Sequence, residues 1–136
     1  MAAFTYSLDV AKFVVAALDL PRWEDESLIY GDKLTFNDIL KLYEARGEKW
    51  AVTYDSFEKL EKGEFTELPS HVPLYKSRPK QVLQAVLANY SISVIKGFCD
   101  ISEDESLNKV FPDIKTTPVK DAIDAWFKHK QTEAEV

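Results

Sequence analysis

A histidine and a tyrosine lie four positions apart in a proline-rich stretch over residues 68–79. The imidazole of His71 can exchange a proton near neutral pH, and the phenol of Tyr75 offers an aromatic wall with one hydroxyl group. Three prolines stiffen this stretch, and binding groups concentrate on loops that a rigid scaffold presents. The stretch is therefore predicted to border a pocket. The alternative for His71 is a loop histidine that bonds a backbone carbonyl.

Asp9 is the third candidate for proton transfer. It falls in the first turn of a helix predicted over residues 7–18, where a carboxylate interacts favourably with the helix dipole. That structural role is one interpretation. If this helix end faces a cavity, burial would instead raise the pKa of Asp9 and make it a general base. His71, Tyr75 and Asp9 are thus the predicted catalytic residues.

Aromatic and basic side chains near these groups are candidates for contacting a substrate. Aromatic walls with a few hydroxyl groups are typical of sites for small organic ligands. Arg78, Lys76 and Lys80 could hold a carboxylate or a phosphate, although a solvated loop edge explains them equally, and Tyr90 could pack in the core. The predicted substrate-binding residues are Tyr6, Ser70, Leu74, Arg78, Tyr90 and Phe98.

Composition disfavours several classes of function. His71 and His129 are far apart and no ligand pair has helical spacing, so no metal site is expected. The formal net charge is -6 and the 17 basic residues are dispersed, which argues against binding nucleic acid. Because Cys99 is the single cysteine, a reducing, cytoplasmic location is expected. The apolar run at 13–18 is too short to span a membrane or to act as a signal peptide.

Helices and short strands alternate along the first half of the chain. The helix over 7–18 is apolar on nearly every face, which predicts burial on all sides. A strand is predicted at 27–30, then a helix capped by Thr35, then a second strand at 50–54. This order predicts a parallel strand pair joined by a right-handed crossover.

The second half is predicted to be mainly helical. Asp55 and Glu58 suggest a capping box, residues 80–96 a long helix, Ser102 the cap of a short helix, and 118 onward a final helix. With 136 residues and 46% hydrophobic content, we expect one domain over 1–130 and a polar tail over 131–136. The expected fold is α/β, with about six helices and a small parallel sheet. Since two strands do not make an independent sheet, a homodimer or a partner subunit is expected to complete it.

Five stretches occur in the order seen in one known family. They are FTY at 4–6 through DVA at 9–11 with AALD at 16–19, GDKLT at 31–35, VTYDS at 52–56, ELPSH at 67–71, and FPDI at 111–114 before a tryptophan-containing helix. On these stretches the chain resembles the C-terminal half of the NmrA-like and isoflavone-reductase-like branch of the atypical short-chain dehydrogenases.

This resemblance implies a substrate subdomain without its dinucleotide-binding partner. In such proteins the N-terminal half is a Rossmann domain that holds NADP and carries the catalytic lysine, while the C-terminal half supplies the substrate pocket. The four glycines here are isolated, whereas a pyrophosphate needs clustered glycines before a helix N-terminus. We therefore expect that the chain binds no cofactor by itself.

The expected function is cofactor-independent binding of a small molecule. Such a protein could also be an isomerase, cyclase or dehydratase of secondary metabolism, derived from an NmrA-like reductase, which holds a reactive conformer in a dry aromatic cavity. Two alternatives stay open. One is a protein-interaction module of the regulatory NmrA type. The other is an NADP-dependent oxidoreductase whose dinucleotide domain is supplied in trans.

Overall fold

The computed structural model describes residues 1–134, with side chains up to residue 129. The helices and strands, in chain order, are β1 (Ala2–Phe4), α1 (Ser7–Ala17), β2 (Asp32–Leu34), α2 (Phe36–Glu44), α3 (Phe57–Glu61), a 3₁₀ helix (Pro69–Lys76), α4 (Lys80–Ile95), a short 3₁₀ helix (Glu103–Glu105), α5 (Leu107–Val110) and α6 (Val119–Ala134). Two compact units result: unit 1 is Met1–Trp50 together with the described residues from Cys99 onward, and unit 2 is Ala51–Phe98.

The mixed α/β class and the number of helices are as expected, since six α-helices form within residues 1–134. The expected single domain over 1–130 stays a prediction. Residues 131–134 of the expected polar tail continue α6, while residues 135 and 136 lie outside the described residues. None of the helices described is both long and apolar enough to pass through a membrane.

The sheet is antiparallel, so the prediction of a parallel sheet is wrong. Strands β1 and β2 pair with Ala3 opposite Lys33. Of the two segments predicted as strands, 27–30 contributes only one isolated bridge from Leu28 to Ser106, and 50–54 forms no strand. The large residue at the start of 50–54, Trp50, packs its ring on a helix of unit 1 instead. Alternation of large and small side chains therefore did not mark a strand here, and Val52 and Tyr54 are exposed.

Helix α2 begins as its sequence predicts. The Thr35 hydroxyl accepts a hydrogen bond from the Asp38 N–H at 3.1 Å, and the Asp38 carboxylate accepts one from the Thr35 N–H at 3.2 Å. Hydrogen bonds from Thr35 and Lys41 lower the pKa of Asp38 to about 2. Gly47, with φ of 83°, follows the helix end in the left-handed region that glycine adopts most readily.

Helix α1 is not buried on all sides, contrary to the prediction. Only Phe13 and Asp9 are buried along it, and Phe13 joins Ala2 and Ile123 in the apolar core of unit 1. Val14 and Val15 are more than half exposed. An apolar sequence thus supplies one core side chain here and leaves the rest of the helix facing outward.

Unit 2 is built from α3 packed on α4. Leu60, Leu83 and Ala88 are its buried apolar residues. The cap of α3 is Ser56, whose side chain accepts a hydrogen bond from the Lys59 N–H, one position later than predicted. The proline-rich stretch forms an ordered 3₁₀ helix rather than an irregular loop.

Candidate functional site

Unit 1 contains an open cavity of about 350 Å³, which we call the aromatic groove. It lies between the end of β1, helix α2 and the first turns of α6. No charged side chain lines it. Its lining residues are Phe4, Thr5, Tyr6, Tyr43, Thr117, Val119, Ala122, Ile123 and Trp126.

Ring contacts hold the aromatic side chains of this groove in place. The ring of Tyr43 meets the rings of Trp50 and Phe127 edge-on, with centroids 5.3 Å and 5.9 Å apart. The rings of Phe127 and Trp126 are 4.9 Å apart in a similar arrangement. Edge-to-face pairs of this kind stabilise ring orientation beyond simple burial. The aromatic wall is therefore largely formed before any ligand arrives.

Two carboxylates fix the segment that leads into α6. Asp9 of α1 accepts a hydrogen bond from the Thr117 N–H at 2.6 Å, and Asp32 of β2 accepts one from the Val119 N–H at 2.9 Å. The Thr116 hydroxyl donates to the Gly31 carbonyl oxygen at 2.6 Å. Because Thr117 and Val119 both line the aromatic groove, Asp9 and Asp32 position one of its walls.

The pKa of Asp9 is shifted in the opposite direction from that expected of a buried general base. Burial alone would raise its pKa, but hydrogen bonds from Lys12 and Thr117, with the positive charge of Lys12, outweigh burial and lower it. The Lys12 ammonium lies 2.7 Å from the carboxylate. The expectation of a raised pKa is therefore wrong, and the carboxylate is held ionised as a structural acceptor.

The aromatic groove can offer hydrogen bonds without offering charge. Within the part of the chain that the structure describes, no protein group bonds the hydroxyls of Tyr6 and Tyr43. Tyr6 is 46% exposed. Apolar walls with a few uncommitted hydroxyl groups suit a small organic molecule that carries an oxygen acceptor.

Two of the three residues expected to carry acid–base chemistry, His71 and Tyr75, lie in unit 2. His71 is buried, and its Nδ1 accepts a hydrogen bond from the Leu68 N–H at 3.2 Å. Its ring lies 5.9 Å from that of Phe65. The partner is a backbone group of the same loop, as in the alternative given for His71, but it is an N–H group rather than a carbonyl. A catalytic role for His71 stays a prediction.

Tyr75 does not have the free hydroxyl that we expected. Its hydroxyl donates to the Glu67 carboxylate at 2.6 Å, and the Lys80 ammonium lies 2.7 Å from the same carboxylate oxygen. The hydrogen bond to Glu67, together with burial and the negative charge, raises the pKa of Tyr75 to about 12. The phenol is thereby kept protonated and committed to its loop.

The nine predicted site residues are divided between the two units. Asp9 and Tyr6 belong to unit 1, and Tyr6 alone among the nine lines the aromatic groove. The other seven belong to unit 2 and do not enter that groove; they are His71, Tyr75, Ser70, Leu74, Arg78, Tyr90 and Phe98. Phe98 is 78% exposed. Their binding roles stay predictions.

Sequence reasoning missed Tyr43 and Trp126 as groove residues. Both lie on the apolar stripes of amphipathic helices, where a core role is the usual interpretation. The available signal was that each stripe included an aromatic side chain with a polar atom. Among the described residues, no three His, Cys, Asp or Glu side chains are grouped so as to hold a metal ion.

Comparison with known proteins finds relatives that are named oxidoreductases. The chain is 29% identical over 134 residues to oxidoreductase swnN of Metarhizium robertsii, which covers 96% of this chain and 39% of that protein. It is 26% identical over 150 residues to oxidoreductase swnN of Arthroderma benhamiae, covering 93% of this chain and 47% of the relative. Oxidoreductase BOA1 of Botryotinia fuckeliana is 35% identical over 78 residues, covering 57% and 24% respectively.

The chain spans less than half the length of the curated relatives it matches. No family model matches it, and no solved structure matches it either. The relationship to proteins named oxidoreductases is therefore established at the level of sequence similarity.

Proposed function

We propose that this chain is the substrate-side part of an NmrA-like protein and that its aromatic groove binds a small organic molecule. The observation that carries the proposal is the groove itself, with its preformed aromatic wall and its two tyrosine hydroxyls. The similarity to relatives named oxidoreductases supports an origin in a reductase family.

The ligand of the aromatic groove is neutral and largely apolar. A charged ligand would lose its hydration without meeting an opposite charge, since none of the lining side chains is charged. The nearest carboxylates, Asp9 and Asp32, already accept backbone N–H groups. One or two oxygen acceptors on the ligand would meet the hydroxyls of Tyr6 and Tyr43.

The proposed activity needs no nicotinamide from this chain. The four glycines each stand alone in the sequence, so no segment can bring several backbone N–H groups onto a diphosphate. Isomerase, cyclase or dehydratase chemistry requires placement and a proton shift, and the Tyr6 and Tyr43 hydroxyls are the proton-bearing groups that the groove offers. The catalytic roles predicted for His71 and Tyr75, which belong to unit 2, stay separate predictions.

A second candidate function is NADP-dependent oxidoreduction with the dinucleotide-binding part supplied in trans. The names and the greater length of the relatives favour it. The two functions share the aromatic groove and differ in whether a nicotinamide must be brought to it. An increase in the melting temperature of this chain on addition of NADPH would indicate a dinucleotide site within the chain. That result would contradict both candidate functions.

The proposal can be tested with the neutral fluorescent probe N-phenylnaphthylamine. We expect its emission to rise on binding, and Trp126→Ala and Tyr43→Ala each to weaken binding by about 10-fold or more, as loss of an aromatic wall implies. Tyr54→Ala is the control, because Tyr54 is an exposed aromatic residue that does not line the aromatic groove. Absence of binding, or equal weakening by all three variants, would exclude the aromatic groove.

The charge of the ligand is tested with anilinonaphthalene sulfonate, which adds one sulfonate to the same ring system. We expect the anion to bind about 10-fold or more weakly than the neutral probe, because its charge has no partner in the groove. Tighter binding of the anion would contradict a neutral ligand while leaving the groove as a binding site.

A further inference from the structure

Two helices each expose an apolar stripe of the same spacing. On α1 the stripe is Val10, Val14 and Leu18, which are 38%, 55% and 59% exposed. On α4 it is Val82, Val86 and Tyr90, which are 51%, 52% and 50% exposed. Side chains four positions apart form the ridges that interdigitate in the commonest class of helix packing.

The stripe of α1 borders a cavity that could receive such a ridge. This second cavity of unit 1 measures about 290 Å³ and is lined by all three stripe residues, by Phe13 and Ala17 beside them, and by Trp23 beyond the helix end. Trp23 is itself 63% exposed. The α1 stripe is therefore one side of a concave apolar surface.

Acidic residues follow the α1 stripe. Asp19, Asp25 and Glu26 are exposed, and no basic side chain pairs with them within the described part of the chain. Glu24 is also exposed but faces Arg22 at 3.6 Å. The end of the stripe near Leu18 thus carries a net negative charge.

Basic residues precede the α4 stripe. Lys76 and Arg78 are exposed and have no carboxylate partner among residues 1–134. Lys80 is paired with Glu67 and contributes less. The end of the stripe near Val82 thus carries a net positive charge, opposite in sign to the end of the α1 stripe.

We propose that α1 of one copy of this chain docks antiparallel on α4 of a second copy. An antiparallel alignment brings Leu18 near Val82, so that the acidic residues after α1 meet Lys76 and Arg78. A parallel alignment would separate those charges by the length of the helices. Each copy carries both stripes, so either stripe of one copy can meet its complement on a second copy.

The contact is expected to be weak and sensitive to salt. One helix pair buries less than the roughly 1,200 Å² of a stable interface, so the contact is expected to be transient. Charge pairs at an exposed rim are screened at physiological ionic strength. Association should therefore depend on protein concentration and decrease as salt is added.

Charge reversal on each side gives a sharp test. The double variant Asp25→Lys, Glu26→Lys and the double variant Lys76→Glu, Arg78→Glu are each compared with the wild type by sedimentation velocity over a concentration series. We expect the wild type to dimerise and each variant alone to be monomeric, because like charges then face each other. An equal mixture of the two variants should dimerise again. In that mixture the charges after the α1 stripe of one variant face opposite charges before the α4 stripe of the other.

The control is Glu44→Lys with Glu48→Lys, which changes the net charge as much as the first variant but lies at the end of α2. It should dimerise like the wild type. The proposal is overturned if the wild type is monomeric throughout, if the reversed variants dimerise unaided, or if their mixture stays monomeric. None of these outcomes bears on ligand binding in the aromatic groove.

Discussion

Each unit contains an aspartate that accepts hydrogen bonds from a lysine side chain and from a threonine N–H. We call this arrangement a carboxylate clamp. In unit 1, Asp9 accepts hydrogen bonds from a lysine one turn later, at 2.7 Å, and from the Thr117 N–H, at 2.6 Å. In unit 2, Asp55 accepts hydrogen bonds from a lysine one turn later, at 2.6 Å, and from the Thr66 N–H, at 2.8 Å. The partners are chemically equivalent, but the threonine is 108 positions away in unit 1 and 11 in unit 2.

The difference in sequence separation determines what each clamp holds. The Asp55 clamp closes a short turn, which local helix and loop geometry already favours. The Asp9 clamp closes a loop that includes most of the chain, so ordering it costs more conformational entropy and needs stronger contacts. It also fixes Thr117 in the wall of the aromatic groove. We therefore expect the two clamps to differ in energy and in functional consequence.

Replacing Asp9 with Ala should have the largest effect. It removes the acceptor of a buried N–H and a charged partner of Lys12, and we expect a loss of about 2–4 kcal/mol in the free energy of unfolding. Denaturation by urea, followed by tryptophan fluorescence, would measure it. Asp9→Asn keeps one acceptor oxygen and should lose less. A stability change below that of ordinary surface substitutions would show that the clamp is dispensable.

Replacing Asp55 with Ala should cost less, about 1–3 kcal/mol, because its carboxylate is slightly exposed and its partners are local. The sharper readout is amide hydrogen exchange. Asp55→Ala should accelerate exchange within residues 57–66 and leave the aromatic groove protected, whereas Asp9→Ala should accelerate exchange around Thr117. Identical exchange patterns in the two variants would contradict the distinction drawn between the clamps.

Acid should release both clamps. Burial raises the pKa of each carboxylate, but the hydrogen bonds of the clamps lower it by more. The net result is a pKa below the ordinary value of 3.8 for both groups. Near pH 3.8 the unfolded chain binds more protons than the folded chain. The stability that the two carboxylates contribute is therefore fully present above pH 3.8 and is lost as the pH falls through their lowered pKa values. Asp9→Asn should flatten the acid limb of the stability profile. An unchanged acid limb would argue against an ionised Asp9.

Features that depend on neighbouring residues were predictable from the sequence. The capping box of Thr35 and Asp38 needs contacts across three positions, and the helix stop at Gly47 needs one residue with a permissive backbone. The start of α3 was predicted to within one residue for the same reason. At these helix ends, the residue that determines the backbone conformation lies within the same short segment.

Features that depend on distant partners were not predictable. Nothing in the residues around Asp9 shows that its partner is Thr117, and nothing in β1 shows that it pairs with residues 32–34 in an antiparallel sense. Similarly, Tyr43 and Trp126 become neighbours only when α2 packs on α6. A helical stripe indicates which side chains face inward but does not distinguish a packed core from a groove.

The smallest effect is expected at Glu67, which is exposed and acts on one phenol in unit 2. The hydrogen bond to Glu67, with burial and the negative charge, raises the pKa of Tyr75 to about 12; Glu67→Gln weakens that bond and removes the charge, so this phenol should titrate at a lower pH than in the wild type. Ultraviolet absorbance at alkaline pH would show one of the six tyrosines titrating earlier. Tyr75→Phe identifies that tyrosine by removing the shifted signal. If Glu67→Gln left the titration unchanged, the Tyr75 hydroxyl would be free in solution and available for the acid–base role that the sequence predicts.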